Sequence, residues 1–243
     1  MIEQKKPIIE QIEEMVKDID GSTPIDQLYS LYLLAQSNSD IEGDFVEIGS
    51  WCGRSASVLA LAAEDAGVNK VVCIDLFPNR WDWYQIADES YSFKIKLNTT
   101  CGGYIYSQTE QTIWKEPFER IFLPVYAKNE NMFDMFMNNI KKCGFFNIIF
   151  PIKGTASDIE EHLGKSFKCK FAFIDGEHGY TSVCNDIRNI EKYLVPGAWI
   201  CFDDAFTSFH GVSRAIEDKI INNPSYTNAQ QLTRKLFVAR YNP

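Results

Sequence analysis

Asp44-Phe-Val-Glu-Ile-Gly-Ser-Trp-Cys-Gly-Arg-Ser55 is the stretch that decides the fold. Asp44 to Gly49 reads as a short buried strand that ends in a glycine turn. Gly53 to Ala66 reads as a helix with Ala56, Leu59, Ala60 and Ala63 on one face. Lys70-Val-Val-Cys-Ile-Asp75 is a second strand. Strand, glycine turn, helix and strand in that order form a βαβ unit, which implies a parallel sheet and an α/β fold.

The alternation continues downstream. Asn147-Ile-Ile-Phe-Pro151 is a strand, and Ser157-Asp-Ile-Glu160 has the pattern of a capping box that opens a helix to Leu163. Cys169 to Asp175 is a strand with Phe171-Ala-Phe-Ile174 unbroken by polar residues. A helix over Thr181–Tyr193 buries Val183, Cys184, Ile187 and Ile190, and Pro196-Gly197 turns the chain into the strand Ala198–Phe202. A helix over Gly211–Asn222 and two strands within Thr227–Tyr241, broken near Thr233-Arg234, complete the chain. Upstream, apolar residues at helical spacing predict one helix from Ile8 to Ile19 and another from Ile25 to Ala35, separated by Gly21-Ser-Thr-Pro24. The reading is one domain over 1–243, with N-terminal helices in 1–40 and an insertion at 77–128.

That insertion is far longer than the dozen or so residues a crossover needs. It carries Trp81, Trp83, Tyr84, Tyr91, Phe93, Tyr104, Tyr106 and Trp114, and also Thr99-Thr-Cys-Gly-Gly103. Two readings stand side by side: a lid or substrate platform, and a structural flap over the core or a subunit contact.

Composition sets outer limits. The 243 residues hold 24 Lys+Arg and 33 Asp+Glu, a net charge of −9, with 45% hydrophobic and 23% charged residues. Those values fit a globular chain and exclude a disordered or fibrous one. The acidic balance argues against nucleic acid and anionic membrane as partners. No apolar run approaches the roughly 20 residues of a membrane span, and Met1–Asp20 lacks a signal-peptide core. Seven cysteines, an odd number without CxxC spacing, point to reduced thiols in a cytoplasmic protein. Cys73, Cys169 and Cys201 read as small core residues, with zinc ligation the minor alternative.

Three segments carry chemistry. The turn from Glu47 to Ser55 lets backbone approach a ligand and aims helix N–H groups at it. Its Gly49-x-x-x-Gly53 spacing differs from the dinucleotide GxGxxG, which counts against NAD and for another adenosine ligand. Asp75, at the end of the second strand, is placed to hydrogen-bond ribose hydroxyls. Phe173-Ile-Asp-Gly-Glu-His-Gly-Tyr180 and Ile200-Cys-Phe-Asp-Asp-Ala205 bring Asp175, Asp203 and Asp204 to one sheet edge. Converging carboxylates repel unless a cation or a raised pKa relieves them, and hard oxygen ligands suit Mg²⁺, Mn²⁺ or Ca²⁺. His178 is the first candidate for a base or ligand, His210 is the second, and His162 reads as structural.

On these residues the chain resembles class I S-adenosylmethionine-dependent methyltransferases. It is most similar to the macrocin-type O-methyltransferases, which act on sugar hydroxyls of natural products, and their cephalosporin-hydroxylase-like relatives. The resemblance rests on VEIGSWCGRSA (46–56), FIDGEHGYTSVCNDI (173–187) and LVPGAWICFDDAF (194–206). It covers Asp44–Asp75 and Asn147–Phe206. Ala198 stands where a second glycine is usual, and Glu177 stands where aspartate is commoner.

The resemblance implies a Rossmann-like, doubly wound seven-stranded sheet of order 3-2-1-4-5-7-6, its last strand pair a hairpin, with helices on both faces. It implies S-adenosylmethionine bound by Glu47, Gly49, Ser50, Gly53, Ser55, Asp75, Thr155, Ala156, Ser157 and Asp175. Asp175, Asp203 and Asp204 would hold a divalent cation, most simply Mg²⁺, and His178 or His210 would be the base. The expected reaction is metal-assisted methyl transfer to a hydroxyl of a sugar-containing small molecule, with nucleotide-linked sugars included. A phenolic or amine acceptor, an NAD-dependent oxidoreductase and a non-catalytic cofactor-binding module are the alternatives. The N-terminal helices leave two roles open, a homo-oligomer contact or a cap over the site.

Overall fold

The computed structural model describes residues 6–68, 70–98, 103–108 and 112–243. Thr99–Gly102 of the insertion lie outside the described residues.

The chain opens with two helices, α1 (Ile8–Val16) and α2 (Ile25–Gln36), as their apolar spacing predicts. Strand β1 (Asp44–Ile48) runs through the glycine turn into α3 (Arg54–Asp65), and β2 (Val71–Asp75) follows. The insertion then forms β3 (Trp83–Gln85), β4 (Tyr91–Asn98) and β5 (Tyr104–Gln108), followed by α4 (Lys115–Pro117), one π turn and α5 (Leu123–Lys128). Next come α6 (Met132–Cys143), β6 (Ile149–Lys153), α7 (Ile159–Leu163), β7 (Cys169–Ile174) and α8 (Tyr180–Glu191). Strand β8 (Leu194–Phe202), α9 (His210–Ile216) and the hairpin of β9 (Tyr226–Gln231) and β10 (Phe237–Tyr241) close the chain.

The large sheet has the order β6-β2-β1-β7-β8-β10-β9. Counted by its own strands this is 3-2-1-4-5-7-6, the Rossmann-like order expected. Strands β6, β2, β1, β7 and β8 are parallel, whereas β10 pairs antiparallel with both β8 and β9.

Both faces are covered, which explains the near-continuous apolar runs of the parallel strands. Phe45 and Phe171 pack with Ala56, Leu59, Phe136 and Ile140 on the α3/α6 side. Val46, Ile48 and Ile174 pack with Val183, Ile187 and Ala215 on the α8/α9 side. A smaller cluster of Ile12, Val16, Leu28 and Val58 fastens α1 and α2 to α3. Arg54 completes that attachment. Its guanidinium donates to the carbonyls of Val16, the last residue of α1, at 2.6 Å and of Ile19, just beyond it, at 2.9 Å. Cys52, Cys73, Cys169, Cys184 and Cys201 are free and buried, as small core residues should be.

Two local expectations are corrected. The capping box is Thr155–Asp158, not Ser157–Glu160. Asp158 reaches back to the Thr155 amide at 2.7 Å and opens a 3-10 turn over Ala156–Asp158 ahead of α7. Pro196-Gly197 does not precede β8 but bulges within it, because the register with β7 jumps between Cys169↔Leu194 and Phe171↔Trp199. Pro151 sits inside β6, which is possible because β6 is an edge strand.

The insertion divides its aromatics between two roles. Trp83 packs against Phe93, Phe118 and Phe122, and Tyr91 stacks on Phe118 at 3.9 Å. Trp83 also donates to the Tyr126 hydroxyl at 2.7 Å, and Tyr126 donates to the Pro78 carbonyl at 2.6 Å. These inner rings extend the core on the α3/α6 side and reach the glycine turn through Phe122 and Trp51, with centroids 5.5 Å apart. The outer ones, Tyr104 and Tyr106 on β5, are more than half exposed, as is Ile105 between them.

Candidate active site

The carboxyl ends of β1, β2, β7 and β8 meet where the strand order reverses, the usual ligand crevice of such sheets. Gly49 makes the meeting possible. Its φ is +93°, and a side chain there would overlap the Asp175 carbonyl at the end of β7. Gly53, at φ +87°, caps the start of α3.

The β1–β2 side is built around two acids. Asp75 accepts from the Trp51 amide at 2.9 Å and the Phe77 amide at 2.5 Å. Burial still outweighs those bonds and raises its pKa. Glu47 is fully buried, and neither carboxylate oxygen makes a hydrogen bond of good geometry. Burial lifts its pKa to about 7, although the nearby Ser50 and Ser55 hydroxyls offset part of the cost. The Ser50 hydroxyl and the Trp51 indole N–H are likewise buried without a partner among the described residues.

Thr155 and Ser157 lie just beyond β6 with their hydroxyls 2.7 Å apart. Ala156 is buried in the core, so its side chain faces the packing below the sheet edge.

The β7–β8 side holds the remaining site residues. Asp175, His178 and Asp204 place ligand atoms within 4.8 Å of one another. His178 Nε2 is 3.0 Å from Asp204 Oδ2, and the imidazole stacks on Phe209 with centroids 4.1 Å apart. Gly211 fixes this loop by close approach, since a Cβ there would strike the His178 carbonyl. Burial, reinforced by the charge of Asp203, raises the Asp175 pKa well above the usual carboxylate range. At Asp204, burial pushes the pKa up, but the His178 hydrogen bond and the Lys235 charge outweigh it and hold it low.

Asp203 lies beside Asp175 but is not one of that trio. It is buried, accepts from Gln27 Nε2 at 2.5 Å and pairs with Lys235 Nζ at 2.7 Å. His210 is exposed at the first residue of α9, outside the cluster. His162 stays on α7, its Nδ1 2.9 Å from the Asp158 carbonyl.

Gln27 and Lys235 are the residues that sequence reasoning missed. Gln27 carried a signal, because it is a polar residue on the buried stripe of α2 beside Leu28 and Leu31. Lys235 carried none, because it sits in the bend before β10 and meets the acids only through the fold. A wider groove lined by Cys184, Arg188, Glu191 and Asn222 lies along α8 and holds no site residue.

Residues 46–205, more than half the chain, match the family described as a methyltransferase domain. The chain belongs to this family and is a class I S-adenosylmethionine-dependent methyltransferase. Its fold is shared by the O-methyltransferase NovP, with a TM-score of 0.63 at 12% identity over 92% of this chain and 84% of NovP. TomG of Streptomyces achromogenes, an O-methyltransferase involved in tomaymycin synthesis and solved with S-adenosylmethionine, gives 0.55 at 14% over 100% and 93%. CalS11, a TDP-rhamnose 3′-O-methyltransferase of calicheamicin biosynthesis, gives 0.55 at 14% over 98% and 96%. No curated protein matches the chain significantly in sequence.

Proposed function

We propose that the chain transfers a methyl group from S-adenosylmethionine to a hydroxyl of a sugar-containing small molecule, assisted by a divalent cation at the β7–β8 edge. The observation that carries this reading is the cluster of Asp175, His178 and Asp204, held beside the glycine turn by the contact of Gly49 with Asp175. CalS11, which shares the fold, acts on a nucleotide-linked sugar, and this supports a sugar acceptor here.

The residues fit both bound groups. Around the glycine turn, Glu47, Ser50 and Trp51 hold buried polar atoms without partners among the described residues, which suits a ligand with a cationic, hydrogen-bonding amino acid end. Asp75 and the hydroxyls of Thr155 and Ser157 provide polar contacts for its nucleoside. At the other side the carboxylates of Asp175 and Asp204 offer oxygen donors suited to a hard divalent ion, with the His178 imidazole beside them.

S-adenosylmethionine supplies an electrophilic methyl group when bound, and the cation supplies charge that favours the ionised form of a nearby hydroxyl. The chain's task is to orient the acceptor and remove its proton. Asp175 and Asp204 carry the negative charge that holds the cation. His178, oriented by Asp204 and by the ring of Phe209, accepts the hydroxyl proton at an imidazole nitrogen. The exposed face of the insertion contributes aromatic surface to the acceptor side and helps exclude water.

The test incubates the protein with S-adenosylmethionine and a panel of nucleotide-linked sugars, phenols and amines, and reads methylated product by mass spectrometry. Methylation of a sugar hydroxyl that stops in excess chelator and returns with Mg²⁺ supports the proposal. Full activity in chelator removes the cation from it. Methylation of phenols or amines alone removes the sugar acceptor.

A further inference from the structure

We infer that Lys235 is a built-in counter-ion of the acidic edge, which holds Asp203 out of the cation site and weakens that site's grip on a divalent ion. On this view Asp203 is a positioning residue and not a ligand. The inference rests on the cation reading above, and the experiment below separates the two.

The geometry is specific. Successive residues of an extended strand point to opposite sides, so Asp203 and Asp204 should diverge. Asp204 instead has a left-handed φ of +53°. One ammonium reaches both: Lys235 Nζ lies 2.7 Å from Asp203 Oδ2 and 3.3 Å from Asp204 Oδ1. The other Asp203 oxygen is taken by Gln27 Nε2 at 2.5 Å. Both oxygens of Asp203 therefore already have donors, whereas Asp204 turns Oδ2 toward His178.

The lysine is fixed from behind. Its carbonyl accepts from the Ala205 amide at 2.9 Å, and the Thr233 hydroxyl accepts from the Leu236 amide at 3.2 Å. The side chains of Lys235 and Asp203 are 8% and 1% exposed, so water does little to screen them. A buried ion pair adds little net stability, since desolvation cancels most of its attraction. What this pair does is position. The ammonium neutralises one of three converging carboxylates and shares a second, which leaves the Asp175–His178–Asp204 set with less negative charge for an incoming cation.

The sign of the effect makes this testable. A residue that only supports the fold loosens the site when removed and weakens ion binding, whereas a counter-ion tightens binding when removed. Binding of Mn²⁺ is read by electron paramagnetic resonance on the full chain, without acceptor. Lys235→Met is expected to bind Mn²⁺ about ten-fold more tightly than the unmodified protein, the scale of one unit charge a few ångströms away in a partly screened site. Lys235→Arg keeps the charge and stays near the original affinity. The double variant Asp203→Asn/Lys235→Met removes both charges of the pair, guards against failure to fold, and returns affinity close to the original. Asp204→Asn loses binding.

Unchanged or weaker binding in Lys235→Met, with Asp204→Asn still defective, overturns the counter-ion role and leaves the cation site standing. Absence of Mn²⁺ binding in the unmodified protein and in every variant overturns both.

Discussion

At the β1–β2 end of the sheet Asp75 meets backbone, and at the β7–β8 end the acids meet side chains. Asp75 is held by the amides of Trp51 and Phe77, so its place depends on the path of the main chain and hardly on neighbouring residue types. Asp203 and Asp204 are held by Gln27, Lys235 and His178, which come from α2, the β9–β10 bend and the loop after β7. The first end can therefore keep one ligand while its surroundings change. The second can be retuned by a single substitution. That division suits an enzyme whose cofactor is fixed and whose acceptor is particular.

The comparison is broken most severely at Gly49. A methyl group there would overlap the Asp175 carbonyl, and φ is +93°. Gly49→Ala should cost about 3 kcal/mol of stability and abolish S-adenosylmethionine binding, as read by thermal unfolding and calorimetry. Retained cofactor affinity in that variant would show the turn to be less constrained than its geometry implies.

Asp204→Asn tests the other end alone. Turnover should fall by about 100-fold or more, as expected when a preorganised charge is lost, while the cofactor dissociation constant stays within about two-fold. Parallel losses in both quantities would mean the two ends are not independent.

The third test is of pH. The buried Glu47 carboxyl has a folded pKa of about 7 against an ordinary 4.5. A raised pKa means that the folded state binds the proton more tightly than the unfolded state. The associated stability is full below about pH 4.5 and is lost as pH rises through 7, for a total of up to about 3 kcal/mol. Glu47→Gln should flatten that slope in chemical-denaturation series at pH 5.5 and pH 8, and without ligand the variant should be more stable than the unmodified protein at pH 8.

The smallest effect belongs to the outer strand of the insertion. Tyr104→Ala and Tyr106→Ala remove exposed rings and should change stability by no more than about 0.5 kcal/mol. Trp83→Ala, in the inner cluster, should cost about 3 kcal/mol or more. Equal costs at the two places would mean that the outer strand is packed in solution.

The sheet could be read from the chain because its cause is local. Short apolar runs, a glycine turn and helical spacing each act over a few residues, and β1, α3, β2 and β7 fall within one or two residues of the expected bounds. The candidate site was legible only where residues share a segment. Asp175 and His178 lie three apart, and Asp203 and Asp204 are adjacent, so their strand ends place them. Their assignment to partners was not legible. Nothing in the spacing says that Asp204 takes a left-handed turn, or that Lys235 crosses from the hairpin to claim Asp203. The shift of the capping box to Thr155–Asp158 has the same origin. Both Ser157-x-x-Glu160 and Thr155-x-x-Asp158 resemble the pattern, and it is Asp158 that accepts from the Thr155 amide in the fold.

The buried thiols give the protein an internal clock for opening. Cys52, Cys73 and Cys201 sit on the α3 side of the sheet, and Cys169 and Cys184 sit on the α8 side. A thiol reagent reaches them only when the covering layer lifts, so labelling rates resolved by peptide mass would time the two faces separately. If the faces open together, the sheet and both helix layers unfold as one unit. If the α3 side opens first, the cofactor half is the looser one, and ligand binding should slow the labelling of Cys52 before that of Cys184.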